Sequence, residues 1–193
     1  DSIASLTQGA RVGSSSLRRR AQLMHVRPDL DVVEFRGNVQ TRLKKLAEGV
    51  ASCTFLAMAG LNRLNMAHIA TLAIEPEDML PAVAQGAIGI ERRSNDSVTA
   101  ALLEPLHHAG TGQRLAAERA FLAALDGSCE TPIAGLATLE CSELLLRGEV
   151  LRPDGSEKLS GERRGAVGRG AEMGYDLAQD LLSQAGPKFF SWR

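Results

Sequence analysis

Apolar positions in the first sixty residues come in short blocks that alternate between two periods. A brief apolar stretch at 11–13 reads as the end of a strand, Ser14 to Ser16 offer N-cap hydroxyls, and residues 17–25 place Leu17, Ala21 and Met24 on one helical face. Pro28 and Asp29 stop that helix. Alternation over 31–35 predicts a second strand, Arg36 to Asn38 a turn, and 39–48 a helix with Val39, Leu43 and Leu46 inward. The continuous apolar run at 53–58 predicts a third strand, followed by a helical turn at 59–64. Strand–helix units in succession argue for a parallel sheet, and such sheets bind ligands beyond the carboxyl ends of their strands.

The pattern changes after Glu75. Residues 76–81 read as a loop, 85–91 as a strand with glycines that allow close backbone approach, and 97–108 as a helix. Glycines at 110 and 112 break the chain. A helix over 111–125 lines up Leu115, Leu122 and Leu125 and stops at Asp126-Gly127. Alternating stretches at 133–139, 144–151 and 158–162, joined by turns such as Pro153-Asp154-Gly155, precede a closing helix at 171–184. This half reads as a separate small α+β domain.

Composition narrows the class. With 193 residues, 44% apolar and 23% charged, the chain can bury a core in two units, and its expected setting is the cytoplasm. The longest apolar run, 55–61, is far too short to span a membrane, and no signal-peptide pattern precedes it. Charge is unevenly spread. Residues 1–50 carry nine Lys and Arg against five Asp and Glu, while the rest carries 13 against 18. The front is therefore the anion-binding part, and its arginines sit at turns beside Ser and Gly in GSSSLRRR (13–20) and RGNVQTR (36–42). An Arg fork matches a carboxylate in bidentate fashion, and a helix start adds positive potential.

Three cysteines, at 53, 129 and 141, form no CxxC pair and indicate neither a disulfide framework nor a metal knuckle. No HExxH or Cys/His ligand spacing occurs, so no metal is expected. Cys53 lies in an apolar strand and is expected in the core. Cys141 stands near a strand boundary as a structural thiol. Cys129 lies in a polar loop, DGSCETP, with inertness as its bland reading.

Six segments taken together carry a family resemblance: GSSSLRRRAQ (13–22), RGNVQTRL (36–43), LAMAGLNR (56–63), LPAVAQGA (80–87), AERA (117–120) and LDGSCETPI (125–133). In this order they resemble the second and third parts of hydroxymethylbilane synthase, also called porphobilinogen deaminase. The resemblance implies a transferase of tetrapyrrole biosynthesis that condenses four porphobilinogen molecules head to tail, with release of ammonia, on a dipyrromethane cofactor. Matched by motif, Cys129 is the thioether anchor of that cofactor. Ser14, Ser16, Arg18, Arg19, Arg36 and Arg42 match cofactor-holding positions, and Arg36, Arg42, Arg63, Gln85 and Gly86 match substrate-binding ones. Ala84 and Ser128 stand where many members have Gly, and Val50 to Ser52 replace a more usual Tyr-Asp pair.

The implied fold is α/β, with periplasmic-binding-protein-like sheet domains followed by a small α+β C-terminal domain. Residues 1–82 would form most of domain two, 83–106 a return segment of domain one, and 107–193 the domain carrying the cysteine loop. Asp1 is no initiator and the chain runs straight into a strand, an opening that reads as truncation. The family's catalytic aspartate would then lie in a front domain outside this sequence, leaving no catalytic residue to assign here and an isolated chain that is inactive. Its partners would be porphobilinogen and the missing front domain, and the full-length protein would be a monomer. A non-catalytic small-anion module accounts for the Ser and Arg groups but not for the Cys129 loop. A nucleic-acid binder fits poorly with 4% aromatics and an acidic second half.

Overall fold

The computed structural model describes residues 2–128 and 130–192. Its first unit is a three-stranded parallel sheet in the order β2-β1-β3, from β1 (Arg11–Gly13), β2 (Asp31–Val33) and β3 (Cys53–Thr54). Helices α1 (Leu17–Val26), α2 (Val39–Ala47) and α3 (Met58–Arg63) follow the strands in turn. Val12, Leu23, Leu30 and Val32 form the small core, with Cys53 and Phe55 packed at its margin. Cys53 is thus half-buried at a sheet edge rather than in the core, and burial pushes its thiol up from the ordinary value. The third strand is shorter than the apolar run suggested. It pairs with β1 only through Cys53 and Thr54, and Met58 already begins α3.

The second unit packs α5 (Ala109–Ala124) and α6 (Gly170–Gln184) on one face of an antiparallel sheet of β4 (Ile133–Glu140), β5 (Glu143–Leu151) and β6 (Lys158–Ala166). Its core joins Phe121, Leu125, Leu144, Leu146, Val150, Leu177, Leu181 and Phe189. Leu144, Leu146 and Val150 point to the helices, so the alternating residues Arg147 and Glu149 belong to the opposite face. The helices meet at Gly174, where an added Cβ would collide with the Ala117 carbonyl and come within 2.8 Å of the Phe121 nitrogen.

Between the units, residues 88–106 depart from the expected pattern. The strand expected at 85–91 does not form: among the described residues this stretch has no ladder partner, and Ile88 and Ile90 are exposed. Gly and Ile alternation supplies a strand's side-chain pattern, but a strand exists only through pairing. The helix expected over 97–108 is α4 (Ser97–Leu103), capped by Asp96, with a 3-10 turn at Glu104–Leu106 where Pro105 cannot donate. Val98, Leu102 and Leu106 are exposed. No helix among the described residues is long and apolar enough to cross a membrane.

A strap at 80–85 fastens the first unit to the second. The Gly135 N–H donates to the Pro81 carbonyl (3.0 Å), and Val83 packs against the C-terminal core. Ala84 takes the left-handed conformation that favours glycine (φ 60°), and its N–H donates to Glu118 Oε2 at 2.7 Å. Glu118 Oε1 accepts from the Ala137 N–H at 2.8 Å, so one buried carboxylate bridges strap and sheet. Such charge-assisted bonds are strong enough to hold a non-glycine residue in this region.

Two outcomes follow for denaturant unfolding. Gly174→Ala forces α5 and α6 apart and is expected to lower stability by about 3 kcal/mol; a loss under about 0.5 kcal/mol would mean that the helices are not in backbone contact. Glu118→Gln turns one acceptor into a donor facing an N–H, with an expected loss of about 2 kcal/mol and faster hydrogen exchange at Ala84. Unchanged Ala84 exchange would show that the strap is held by other groups.

Candidate functional site

All three parallel strands end on the same side, and the loops leaving them carry the Ser and Arg groups. After β1 the chain must bend sharply against β2. Gly13 permits this because the Phe35 ring occupies the space a Cβ would need, at 2.5 Å. The three serines then divide the work. Ser14, buried, donates its N–H to the Val33 carbonyl and accepts from the Ser16 N–H through Oγ; Ser15 Oγ accepts from the Phe35 N–H at 2.9 Å. Ser16 caps α1 by accepting from the Arg19 N–H. Ser14 and Ser16 hydroxyls thus shape the turn from which Arg18 and Arg19 emerge.

Arg19 lies partly buried over the Phe55 ring (6.0 Å) and donates Nη1–H to the Phe55 carbonyl at 3.2 Å. Burial lowers its pKa first, and the charge of Arg42 lowers it further. Arg42 comes from α2, whose start is capped by Asn38 accepting from Thr41, and its Nε–H donates to the Gly37 carbonyl at 2.9 Å. Neither guanidinium makes a carboxylate contact among the described residues. Two cations that disfavour each other, each held by a backbone carbonyl, present a site where an anion relieves the repulsion.

Arg18 is more deeply placed, at 6% exposure, and burial lowers its pKa to about 10, with Arg19 adding to the fall and Glu149 opposing it. Its Nη1 donates to the Leu80 carbonyl (2.6 Å) and to Gln22 Oε1 (3.0 Å), and its Nη2 lies 3.4 Å from Gln85 Oε1. Its Nε–H is buried with no acceptor among the described residues. Such an orphan donor is costly unless a ligand or water completes it. Gln85 therefore faces Arg18, and Gly86 follows it with φ 85°.

Other expected residues stand apart from these contacts. Arg36 pairs with Glu34 two residues before it and is largely exposed, while Arg63 is exposed on the last turn of α3. Cys129 lies outside the described residues. On either side of it, the Ser128 N–H donates to Thr131 Oγ1 at 2.8 Å and Thr131 Oγ1–H donates back to the Ser128 carbonyl at 2.7 Å. Cys141 is exposed in the β4–β5 turn.

Reading the sequence did not single out Gln22, Glu118 or Glu149. Gln22 donates to the Leu80 carbonyl at 3.0 Å and to the Glu149 carboxylate, and Lys158 lies 3.6 Å from the same carboxylate. These residues border a cleft of about 330 Å3 between α1 and the polar face of the second sheet, closed on a third side by residues 76–80. A charged pair at alternate positions of one strand, Arg147 and Glu149, was the available signal that this sheet face is covered.

The donor set of orphan Nε–H, unneutralised guanidiniums and serine hydroxyls suits a ligand with several carboxylates. Comparison with known proteins identifies the family. Residues 1–101 match the family model described as porphobilinogen deaminase, dipyromethane cofactor binding domain, and residues 113–183 match the C-terminal domain of the same enzyme. The porphobilinogen deaminase of Paracoccus denitrificans is 63% identical over 190 residues, covering 98% of this chain and 61% of that protein. The chloroplastic porphobilinogen deaminase of Pisum sativum is 50% identical over 194 residues, covering 98% and 53%. The chain thus spans little more than half the length of these relatives. With matches that run through both units, the chain belongs to the porphobilinogen deaminase family.

Proposed function

We propose that the chain is the cofactor-binding and C-terminal part of a hydroxymethylbilane synthase, a tetrapyrrole transferase that joins four porphobilinogen molecules head to tail and releases ammonia at each step. The observation that carries this reading is that Arg19 and Arg42, on the helices leaving the sheet's carboxyl edge, are each held by a backbone carbonyl and that neither meets a carboxylate among the described residues. Porphobilinogen carries two carboxylates, and each added pyrrole brings two more, so a receptor for a growing polyanion needs fixed guanidiniums rather than mobile ammonium groups.

In this reading the dipyrromethane group, joined as a thioether to Cys129, supplies the free pyrrole carbon on which the chain grows. The residues of this chain bind and orient. Arg18 offers its Nε–H from a dry setting, and Arg19 and Arg42 hold carboxylates while Ser14 and Ser16 fix the turn beneath them. Arg36 and Arg63, exposed, extend the receptor outward, and Gln85-Gly86 lines the crossing between units. The boundaries 1–82, 83–106 and 107–193 belong to the same proposal, supported by the exposed Ile88, Val98, Leu102 and Leu106, which suit a segment completed by a further domain. The catalytic aspartate is assigned to that domain, so that the isolated chain binds without turning over. A cytoplasmic setting goes with this reading, although the pea relative is chloroplastic.

Intact mass and peptide mapping of the protein from its native cell test the proposal. A two-pyrrole adduct is expected on the peptide containing Cys129, absent from Cys129→Ser. Arg42→Ala in the 193-residue chain is expected to weaken porphobilinogen binding about tenfold. An unmodified Cys129 with retained anion binding would instead favour a non-catalytic anion-binding module.

A further inference from the structure

Glu149 is buried near the end of β5 on the sheet face turned away from the hydrophobic core. A carboxylate there costs desolvation unless it is paired and hydrogen-bonded. Its partners are Lys158, across the hairpin, and the Gln22 amide, 127 residues earlier on α1. An ionised carboxylate only accepts, so the Gln22 Nε2–H groups must face it and the Leu80 carbonyl, which leaves Gln22 Oε1 toward Arg18 Nη1. A flipped amide would set N–H against N–H at Arg18 and oxygen against oxygen at Glu149. The carboxylate therefore selects one orientation of Gln22.

That orientation decides what Arg18 can offer. With Nη1 held by Gln22 and Leu80 and Nη2 directed at Gln85, Nε is the one nitrogen of this guanidinium that is buried with no partner among the described residues. We propose that Glu149 is a positioning residue: through the Gln22 amide it locks the Arg18 guanidinium with Nε–H presented to an anionic ligand, so that a carboxylate receptor of the first unit is completed by the sheet of the second. His25 extends the same side of α1, with spacing 18, 22, 25. Its Nδ1–H donates to the Gly155 carbonyl of the β5–β6 turn at 2.9 Å. The seam thus runs along one face of the helix.

The ligand's identity rests on the anion-receptor reading, but the positioning can be read without ligand. The probe is the Arg18 Nε–Hε resonance of the 193-residue chain, assigned by its loss in Arg18→Lys. Glu149→Leu is expected to shift that resonance and speed its solvent exchange about tenfold, whereas Glu149→Gln, which keeps an acceptor, changes exchange by about twofold or less. Gln22→Met, which leaves Glu149 with Lys158, should reproduce the Leu effect even if Glu149→Leu fails to fold. In a Gln22→Met background Glu149→Leu should add nothing. An unmoved resonance in Gln22→Met, or additive effects in the double variant, would overturn the proposal. Porphobilinogen titration then separates the two readings. About tenfold weaker binding in Glu149→Leu supports both; no binding by any variant or the parent, with the spectral changes present, supports the positioning and removes the receptor.

Discussion

A guanidinium can be buried only if most of its donors find acceptors, and Arg18 finds them in Gln22 of its own helix and in Leu80 and Gln85 of the strap, while Gln22 reaches across to Glu149 of the second unit. The Leu80 carbonyl accepts from both Arg18 and Gln22, so the strap residue sits at the centre of the network. From there the strap continues to Glu118 and the second core through Ala84, Val83 and Pro81. Charged groups take part in bonds across the seam between the two units, Gln22 donating to Glu149 and Arg147 pairing with Glu77, and such bonds depend on geometry far more steeply than hydrophobic contact does.

The two units reach stability by different means. The second has a continuous core in which Phe121 fills the space left by Gly148, an added Cβ there lying 2.5 Å from the ring. The first has a small core and short strands, and it relies on local polar staples. Arg27 is one of these, binding Asp29 and the carbonyls of Ile3, Ala4 and Leu6. A lightly built unit with rigid turns suits a receptor whose arginines must be placed by backbone carbonyls and caps rather than by burial alone.

Much of the fold was legible because local signals and tertiary structure agree. Ser16 and Asn38 mark helix starts that form where expected, and the three C-terminal strands begin within a residue of their predicted positions. The 85–91 stretch was misread because alternation cannot reveal whether a pairing partner exists. Cys53 was misplaced because an apolar run does not tell an edge strand from a central one. In the site, residue type was legible and convergence was not. Arg36 sits two residues from the Glu34 it pairs with, whereas Gln22 and Glu149 are separated by more than half the chain and no periodicity links them. Glu149 in particular looks like an ordinary polar position of a half-exposed strand until α1 covers it.

The claim on which the account depends is that the carboxyl edge of the parallel sheet recognises carboxylates. Calorimetric titration of the chain with porphobilinogen, beside the same molecule with both carboxyl groups esterified, tests it most directly. The account predicts binding of the free acid and at least about tenfold weaker binding of the ester, since charge-assisted hydrogen bonds are lost. Equal affinity for the two would contradict it.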